Sequence, residues 1–254
     1  MTFVVAADAY DRFMGRYSVP LAPVFVDFAG VTDADRRVLD VGCGPGALTA
    51  QLVRRLGAAA VSAVDPSEPF VAAARERNPE VTVERAAAED LPFADASFDA
   101  ALAQLVVHFM ADPVAGLREM ARVTREDGVV AACVWDHAPG GQGPLSLFWE
   151  AATEIDPGRE DESQLAGARS GHLTELFEAA GVDDIEEGHI SVSVEHPTFE
   201  EWWQPFTLGV GPAGVYAAGL DRERQAALRE QCRAKLPSAP FVATVRAWSA
   251  RGRA

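Results

Sequence analysis

A glycine-rich turn is the part of this chain whose residue types and spacing most directly indicate ligand chemistry. The segment VLDVGCGPGALT (38–49) places Gly42, Gly44 and Gly46 at every second position, between a β-branched run and a helical pattern. Glycines let the backbone bend tightly and let a ligand approach the main chain. The helix that follows presents unpaired N–H groups to the same space. By itself, such a turn is also compatible with a purely structural bend.

An acid stands one crossover later. The next predicted strand ends at Asp65, 25 residues after Asp40. A carboxylate at the tip of the second strand can accept hydrogen bonds from both hydroxyls of a ribose, and bonds to a charged acceptor contribute about 1.5–3 kcal/mol each. The alternative is that Asp65 only caps a turn before Pro66. Together the turn and the acid indicate a nucleoside ligand, and they leave its size open.

Two histidines follow predicted strands on the expected ligand side. His108 comes after the fourth strand and is our candidate general base, because an imidazole titrates near neutral pH. His137 comes after the fifth strand and is a candidate substrate contact. Each is also compatible with a packing role. The spacing of histidines and cysteines does not match that of metal ligands, so we expect no metal.

Aromatic residues cluster in the tail of the chain. Trp203 and Phe206 are candidate substrate contacts, since aromatic walls suit a flat apolar acceptor. Aromatic residues at helical spacing are, however, more often part of a buried core than of a pocket.

Alternating strand and helix patterns provide the elements that position these residues. Strands are predicted at 36–42, 59–65, 81–86, 98–107, 129–136, 185–195 and 241–250. Helical patterns separate most of them, as in parallel sheets covered on both faces. We therefore expect an α/β fold: a doubly wound, mostly parallel, seven-stranded Rossmann-like sheet with an inserted helical lid. The ligand would bind beyond the carboxyl ends of the strands.

The domain organisation follows from the same patterns. We expect a single domain over 1–254, with helical insertions at 140–182 and 199–236 above a substrate site. The second insertion lies between the last two predicted strands.

Charge and cysteine usage exclude several classes of partner. The chain has 22 Lys and Arg against 38 Asp and Glu, a net charge of −16. A nucleic-acid groove binder or a protein docked on anionic lipid needs a basic face, so we expect neither partner. Three separated cysteines without a CxxC pair favour a reducing compartment. The first residues also lack a signal-peptide pattern, and we expect a cytoplasmic protein.

Four motifs in order carry a family resemblance. VLDVGCGPG, AVDPS, AAAEDLPFADASFDAALAQLVVHF and LREMARVTREDGVVAACVWD resemble the class I S-adenosylmethionine-dependent methyltransferases. The most similar group is the ubiquinone/menaquinone-biosynthesis-like branch. The resemblance covers about residues 8–136, and it implies S-adenosyl-L-methionine as cofactor and a small molecule as methyl acceptor.

The resemblance also implies a set of cofactor contacts. The glycine loop would meet the methionine part, Asp65 the ribose, and the residues after it the adenine. YDRFMGRYS (10–18) implies an N-terminal lid segment, 1–30. The implied contacts are Tyr10, Arg16, Asp40, Gly42, Cys43, Gly44, Gly46, Asp65, Pro66, Ser67, Ala88, Glu89, Asp90 and Gln104.

One departure from the family pattern concerns the adenine. Members often carry an aspartate at position 87, where this chain has Ala87. Glu89 or Asp90 then takes its place, or the adenine amino group contacts water. Three functions stay open: methyl transfer by in-line displacement, cofactor binding without turnover, and nicotinamide-dependent oxidoreduction. The sequence does not indicate the acceptor atom or the oligomeric state.

Overall fold

The computed structural model describes residues 10–35 and 37–254. Within these residues, seven strands form one sheet in the order β3-β2-β1-β4-β5-β7-β6. Strand β7 runs antiparallel to both of its neighbours, β5 and β6, and all other adjacent pairs are parallel. The predicted fold class is confirmed. The strands are β1 (Val38–Val41), β2 (Val61–Asp65), β3 (Thr82–Arg85), β4 (Phe98–Gln104), β5 (Thr124–Trp135), β6 (Asp183–His196) and β7 (Phe241–Arg253).

Helices cover both faces of the sheet. In the described chain they are α1 (Arg16–Ala29), α2 (Ala47–Leu56), α3 (Glu68–Arg77), α4 (Pro113–Val123), α5 (Ser146–Ile155), α6 (His172–Ala180), α7 (Phe199–Trp203), α8 (Gly211–Gly219) and α9 (Arg222–Lys235). None of these helices combines the length with the apolar content that crossing a bilayer requires.

Alternation along the strands divides the core into two layers. Val38 of β1 belongs to a cluster with residues of α1, α2 and α5, whereas the next residue, Leu39, belongs to a cluster with residues of α4 and α6. Successive side chains of a strand point to opposite faces, so a strand buried on both sides contributes to both layers. This arrangement leaves the carboxyl ends of β1, β2 and β4 side by side.

The N-terminal segment differs from the predicted lid. Its first nine residues lie outside the described residues. Residues 16–29 form α1, which ends at Gly30 with φ +73°. Leu21, Phe25 and Val26 are fully buried against the sheet. The helix therefore belongs to the core, and only the residues before it and its first turn lie near the ligand side.

The fourth strand is shorter than predicted. It ends at Gln104 instead of 107, because Leu105 adopts φ +61°. The Leu105 N–H donates to the Cys133 carbonyl at 2.9 Å, and a short turn, Val107–Phe109, follows. This change of direction places His108 above the end of the sheet. A bulky residue with positive φ is strained, so the surrounding packing must hold this turn.

The helices of the predicted insertions pack in both core layers, on opposite faces of the sheet. Helix α6 packs on α4, where Leu173 and Phe177 are fully buried, so this part of 140–182 covers the sheet. Helices α5, α7 and α8 contribute to the other layer. Helix α8 is not predicted by the sequence, because its GPAGVYAAG stretch combines residues that disfavour helices.

Candidate active site

The glycine loop connects β1 to α2 through three residues with positive φ. The φ angles are +69° for Gly42, +52° for Gly44 and +97° for Gly46. The N–H groups of Gly42 and Cys43 both donate to the Val64 carbonyl, at 2.8 and 2.9 Å. A Cβ on Gly42 would overlap the Val106 side chain, whereas a Cβ on Gly44 would meet nothing within 4 Å. The fold therefore requires glycine at 42, and Gly44 borders open space.

Asp65 ties this loop to the second strand. Its Oδ2 accepts from the Gly44 N–H at 2.9 Å, and its Oδ1 accepts from the Ser67 N–H at 2.8 Å. Burial raises the pKa of Asp65, and the two backbone bonds partly offset this effect. The side chain lines the cavity in front of the loop. Each carboxylate oxygen has more than one lone-pair site, so Asp65 can still accept from a ligand.

Asp40 leaves one buried oxygen without a partner. Its Oδ2 accepts from the Thr49 hydroxyl at 2.6 Å, whereas its Oδ1 has no partner among the described residues. Burial raises the pKa of Asp40 to about 7, although the Thr49 bond lowers it. Buried polar atoms are almost always hydrogen-bonded. The free oxygen therefore fits a ligand that donates hydrogen bonds there.

Gln104, at the end of β4, provides a second open acceptor. Its Nε2 donates to the Ser18 carbonyl of α1 at 3.1 Å, and its buried Oε1 has no partner in the described part of the chain. Ser18 and Gln104 both line the same space as Asp40. Two acceptors without donors thus border one site.

The first cavity is the space in front of the loop, with a volume of about 260 Å³. Eleven of the predicted cofactor contacts line it. They are Tyr10, Asp40, Gly42, Cys43, Gly44, Asp65, Pro66, Ser67, Ala88, Glu89 and Gln104. Tyr10 also packs edge-on against Phe70 at 5.4 Å, and burial raises its pKa. The sequence did not indicate Ser18, because nothing in its local pattern separates it from other helix residues.

Three predicted contacts do not line the first cavity. Arg16 donates to the Glu201 carbonyl at 2.8 Å and so connects α1 to α7, which corrects its predicted place at the cofactor. Asp90 is exposed. Gly46 starts α2, and a Cβ there would meet Asn78 Nδ2 at 2.8 Å. Of the two possible acids near position 87, only Glu89 reaches the cavity, and its Oε1 also accepts from Ala111 N–H at 2.7 Å.

The second cavity adjoins the first and shares Tyr10, Leu105 and Phe109 with it. Its volume is about 40 Å³. Both candidate histidines line it, and their rings lie 6.0 Å apart. The remaining lining residues are Phe13, Met14, Trp135, Leu145, Glu162, Val210, Gly211, Pro212 and Ala213.

Both histidines are neutral at pH 7. Burial lowers the pKa of His137 to about 4, against a smaller opposite effect of Asp136. Burial also lowers the pKa of His108 well below its usual value, and His137 adds to this effect. The Nδ1 atom of each ring is buried without a hydrogen-bond partner among the described residues. These pKa shifts make His108 a weaker base than its position in the sequence predicts.

Glu162 is the lining residue that the sequence did not indicate. It is 4% exposed, and its Oε2 accepts from the Trp149 indole N–H at 2.7 Å. Burial raises the pKa of Glu162 to about 7. It lies in the charged run GREDESQ (158–164), which resembles a solvated loop, so no local signal separates it from its neighbours. No group of three or more His, Cys, Asp or Glu among the described residues is arranged to hold a metal ion.

Trp203 and Phe206 lie elsewhere than predicted. Phe206 stacks on Phe148 with ring centroids 4.5 Å apart, and Trp203 stacks on Phe199 at 6.3 Å. Both are buried, and neither lines the second cavity. The prediction that they contact substrate is corrected: their aromatic surface is used in the core that holds α5 and α7 against the sheet.

Known proteins match the part of the chain that forms most of the first cavity. Residues 39–132, which carry the loop, Asp65 and Gln104, match the family described as "Methyltransferase domain". This segment is therefore similar to that family. An uncharacterized methyltransferase of Mycobacterium tuberculosis (strain ATCC 25618 / H37Rv) is 38% identical over 154 residues, which are 61% of this chain and 54% of that protein. The resemblance predicted from the sequence is confirmed.

Other curated relatives carry specific names. A demethylmenaquinone methyltransferase of Mycobacterium sp. (strain KMS) is 42% identical over 122 residues, which are 48% of this chain and 50% of that protein. The chain thus spans about half the length of the curated relatives it matches. These matches establish the domain and leave the acceptor open.

Solved structures share the fold at low sequence identity. The YcgJ protein from Bacillus subtilis superposes with a TM-score of 0.57 at 20% identity, covering 93% of this chain and 97% of that one. A geranyl diphosphate C-methyltransferase from Streptomyces coelicolor A3(2), with S-adenosyl-L-homocysteine bound, gives 0.53 at 16% identity, covering 94% and 80%. At such identities the likeness concerns the fold alone.

Proposed function

We propose that this protein transfers the methyl group of S-adenosylmethionine to a small-molecule acceptor by in-line displacement. The observation that carries the proposal is the pairing of two joined cavities. One is bordered by a glycine loop and unpartnered acceptors, and the other has apolar walls.

The residues of the first cavity fit the cofactor. The Oδ1 of Asp40 and the Oε1 of Gln104 lack donors among the described residues, and they suit the amino group of the methionine part. Asp65 would hold the ribose, and the residues from Ala88 to Glu89 would border the adenine, as the family resemblance implies. When bound, S-adenosylmethionine supplies a methyl group on a positively charged sulfur.

The chain itself has to align the reactants and exclude water. Tyr10, Leu105 and Phe109 line both cavities, so they define the passage through which a methyl group would move. Positioning of two reactants can provide effective molarities of about 10⁵–10⁸ M. The strained φ of Leu105 fits this role, because strain is held where the surrounding packing fixes a functional turn.

The acceptor would enter the second cavity below α5 and α8. The predicted insertions 140–182 and 199–236 supply Leu145, Glu162 and the Val210–Ala213 segment to its wall. A relative named as a demethylmenaquinone methyltransferase supports a small organic acceptor in general terms. The absence of basic residues from the described lining argues against a nucleic-acid acceptor.

The first test measures S-adenosylhomocysteine affinity by calorimetry. Replacing Asp65 with alanine should weaken binding by about 2–4 kcal/mol, because the ribose loses its charged acceptor and Gly44 loses its anchor. Asp90→Asn is the matched control: an exposed acid outside the cavity, whose loss should leave the affinity unchanged. Equal affinity of the wild type and Asp65→Ala would rule out the proposed ribose contact.

A protein that binds the cofactor without turnover is the remaining alternative. Release of S-adenosylhomocysteine from a pooled set of phenol, amine and quinone acceptors separates the two functions. Tight binding with no product from any acceptor would favour the binding protein.

A further inference from the structure

Glu162 gives the second cavity a specific chemistry that its apolar walls alone would not have. Among the described lining residues, the polar side chains that face this space are Glu162, His108, His137 and Tyr10. No arginine or lysine is among them. The cavity therefore has one carboxylate, two neutral imidazoles and no cation in its described lining.

This charge pattern disfavours an anionic acceptor. A buried carboxylate or phosphate without a cationic partner is strongly disfavoured, and Glu162 would repel it further. A cationic acceptor next to a bound cofactor would be disfavoured by the positive charge on the sulfur of S-adenosylmethionine. An uncharged acceptor avoids both conflicts.

The hydrogen-bonding groups indicate which uncharged acceptor fits. The Trp149 indole N–H occupies the Oε2 of Glu162 and fixes the carboxylate in place. Asp161, the preceding residue, accepts from Ser163 N–H at 2.9 Å and pairs with Arg159 at 3.2 Å, so the turn that carries Glu162 is held from both sides. The Trp149 bond uses Oε2 only, so a hydroxyl group of an acceptor could supply this carboxylate with a second donor.

The size of the space limits the rest of the molecule. At about 40 Å³ the second cavity has room for about three water molecules. Three water molecules at about 30 Å³ each displace about 90 Å³, which is close to the volume of one six-membered ring. The aromatic and aliphatic walls, Phe13, Trp135 and Leu145 among them, suit an apolar ring.

We propose that the acceptor is an uncharged, ring-sized molecule whose hydroxyl group donates a hydrogen bond to Glu162. This inference rests on the proposed function, because it assigns the acceptor to the second cavity. Glu162 is then the specificity residue of the site, and His108 and His137 are neutral hydrogen-bond partners.

Three probes that share one ring test the proposal: phenol, anisole and benzoate. Their dissociation constants are measured by ligand-observed NMR at pH 8, with the protein saturated by S-adenosylhomocysteine. Phenol should bind about tenfold or more tightly than anisole, which has no donor, and than benzoate, which is charged. Equal binding of the three probes, or no binding of phenol, would overturn the proposal.

Substitutions test whether the preference for phenol depends on Glu162. Glu162→Gln should weaken phenol at least about tenfold at pH 8 and leave benzoate no weaker, whereas Glu160→Gln, at an exposed position outside the cavity, should change neither. Thermal unfolding checks that the variants fold. Trp149→Phe keeps the carboxylate but removes its donor, so it should still bind phenol. Phenol affinity that is unchanged in Glu162→Gln contradicts the proposal.

The pH dependence provides a readout that a structural role would not give. Phenol affinity should fall several-fold from pH 8 to pH 6 in the wild type, because a charged acceptor forms the stronger bond, and it should be flat in Glu162→Gln. The other titratable or charged groups near this carboxylate are His108, His137, Tyr10, Asp161 and Arg159. Saturation with S-adenosylhomocysteine is verified first, so loss of cofactor binding is distinguished from failure of the acceptor assignment.

Discussion

The two cavities are built in different ways. The first is made mostly of backbone turns and short side chains from one stretch of sequence, 40–111, with Tyr10 and Ser18 added. The second takes its wall from six separate parts of the chain, and most of them lie outside the matched domain 39–132. A site formed by consecutive strand ends leaves a motif in the sequence. A site formed by packed insertions leaves none, because its residues meet only in the folded chain.

The largest expected effect is a loss of stability when Trp203, a buried residue outside both cavities, is replaced. Trp203→Ala should lower the free energy of unfolding by about 3–5 kcal/mol, as for other large aromatic residues removed from a core. The affinities for S-adenosylhomocysteine and phenol should not change, because Trp203 lines neither cavity. Urea unfolding and calorimetry measure the two quantities. Unchanged stability together with a weaker phenol affinity would indicate that Trp203 contacts the acceptor.

A pair of glycine substitutions sharpens the description of the first cavity. Gly42→Ala combines positive φ with overlap on Val106, and it should lower the free energy of unfolding by about 2–4 kcal/mol. Gly44→Ala should lower it by about 1–2 kcal/mol. Its methyl group would enter the cavity, so S-adenosylhomocysteine affinity should fall about tenfold or more.

Gly57→Ala is the matched control for this pair. Gly57 has φ +84°, and a methyl group added there would meet no atom within 4 Å. It follows α2 and lines neither cavity. Because the ψ of Gly57 is 152°, a region that non-glycine residues rarely adopt, the substitution should cost at least as much stability as Gly44→Ala and still leave cofactor affinity unchanged. If Gly44→Ala also leaves the affinity unchanged, the space before the loop does not hold the cofactor.

The smallest expected effect is a pH dependence from Asp40, whose Oδ1 has no hydrogen-bond partner among the described residues. The folded pKa of Asp40 is about 7, above its ordinary value of 3.8. Between these values the folded state keeps a proton that the unfolded state has lost, so the contribution of Asp40 to stability falls as pH rises. Asp40→Asn does not titrate. Its unfolding free energy, relative to the wild type, should therefore increase by about 1 kcal/mol or more from pH 4 to pH 7.

Urea unfolding at several pH values measures this difference. Glu162 shifts stability in the same direction, and the buried His108 and His137 shift it in the opposite one. Subtracting the wild type from Asp40→Asn removes the contributions of these three groups and leaves that of Asp40 together with its coupling to Asp65 and Cys43. A difference that stays constant with pH would mean that the Asp40 carboxyl keeps its ordinary pKa.

Much of the first cavity follows from sequence patterns. Gly42, Gly44 and Asp65 are predicted because a strand, a bend and an acid at fixed spacing have few other purposes together. Arg16 is misplaced for the opposite reason: a guanidinium can bind any nearby carbonyl, and the one it reaches, Glu201, lies 185 residues away. The pattern for Trp203 and Phe206 is compatible with both core and pocket, and it contains nothing that decides between them.

The sequence by itself determined the order of strands and helices, the sharp turn after β1 and the acid after β2, because local periodicity and glycine spacing dictate them directly. Only the tertiary structure decided which distant residues border the second cavity. Glu162 is an ordinary charged loop residue until burial in the folded chain removes it from water and raises its pKa, against the opposing effect of the Trp149 hydrogen bond. Burial and hydrogen-bond partners arise from long-range contacts, and those give a side chain its chemistry without leaving a local signal.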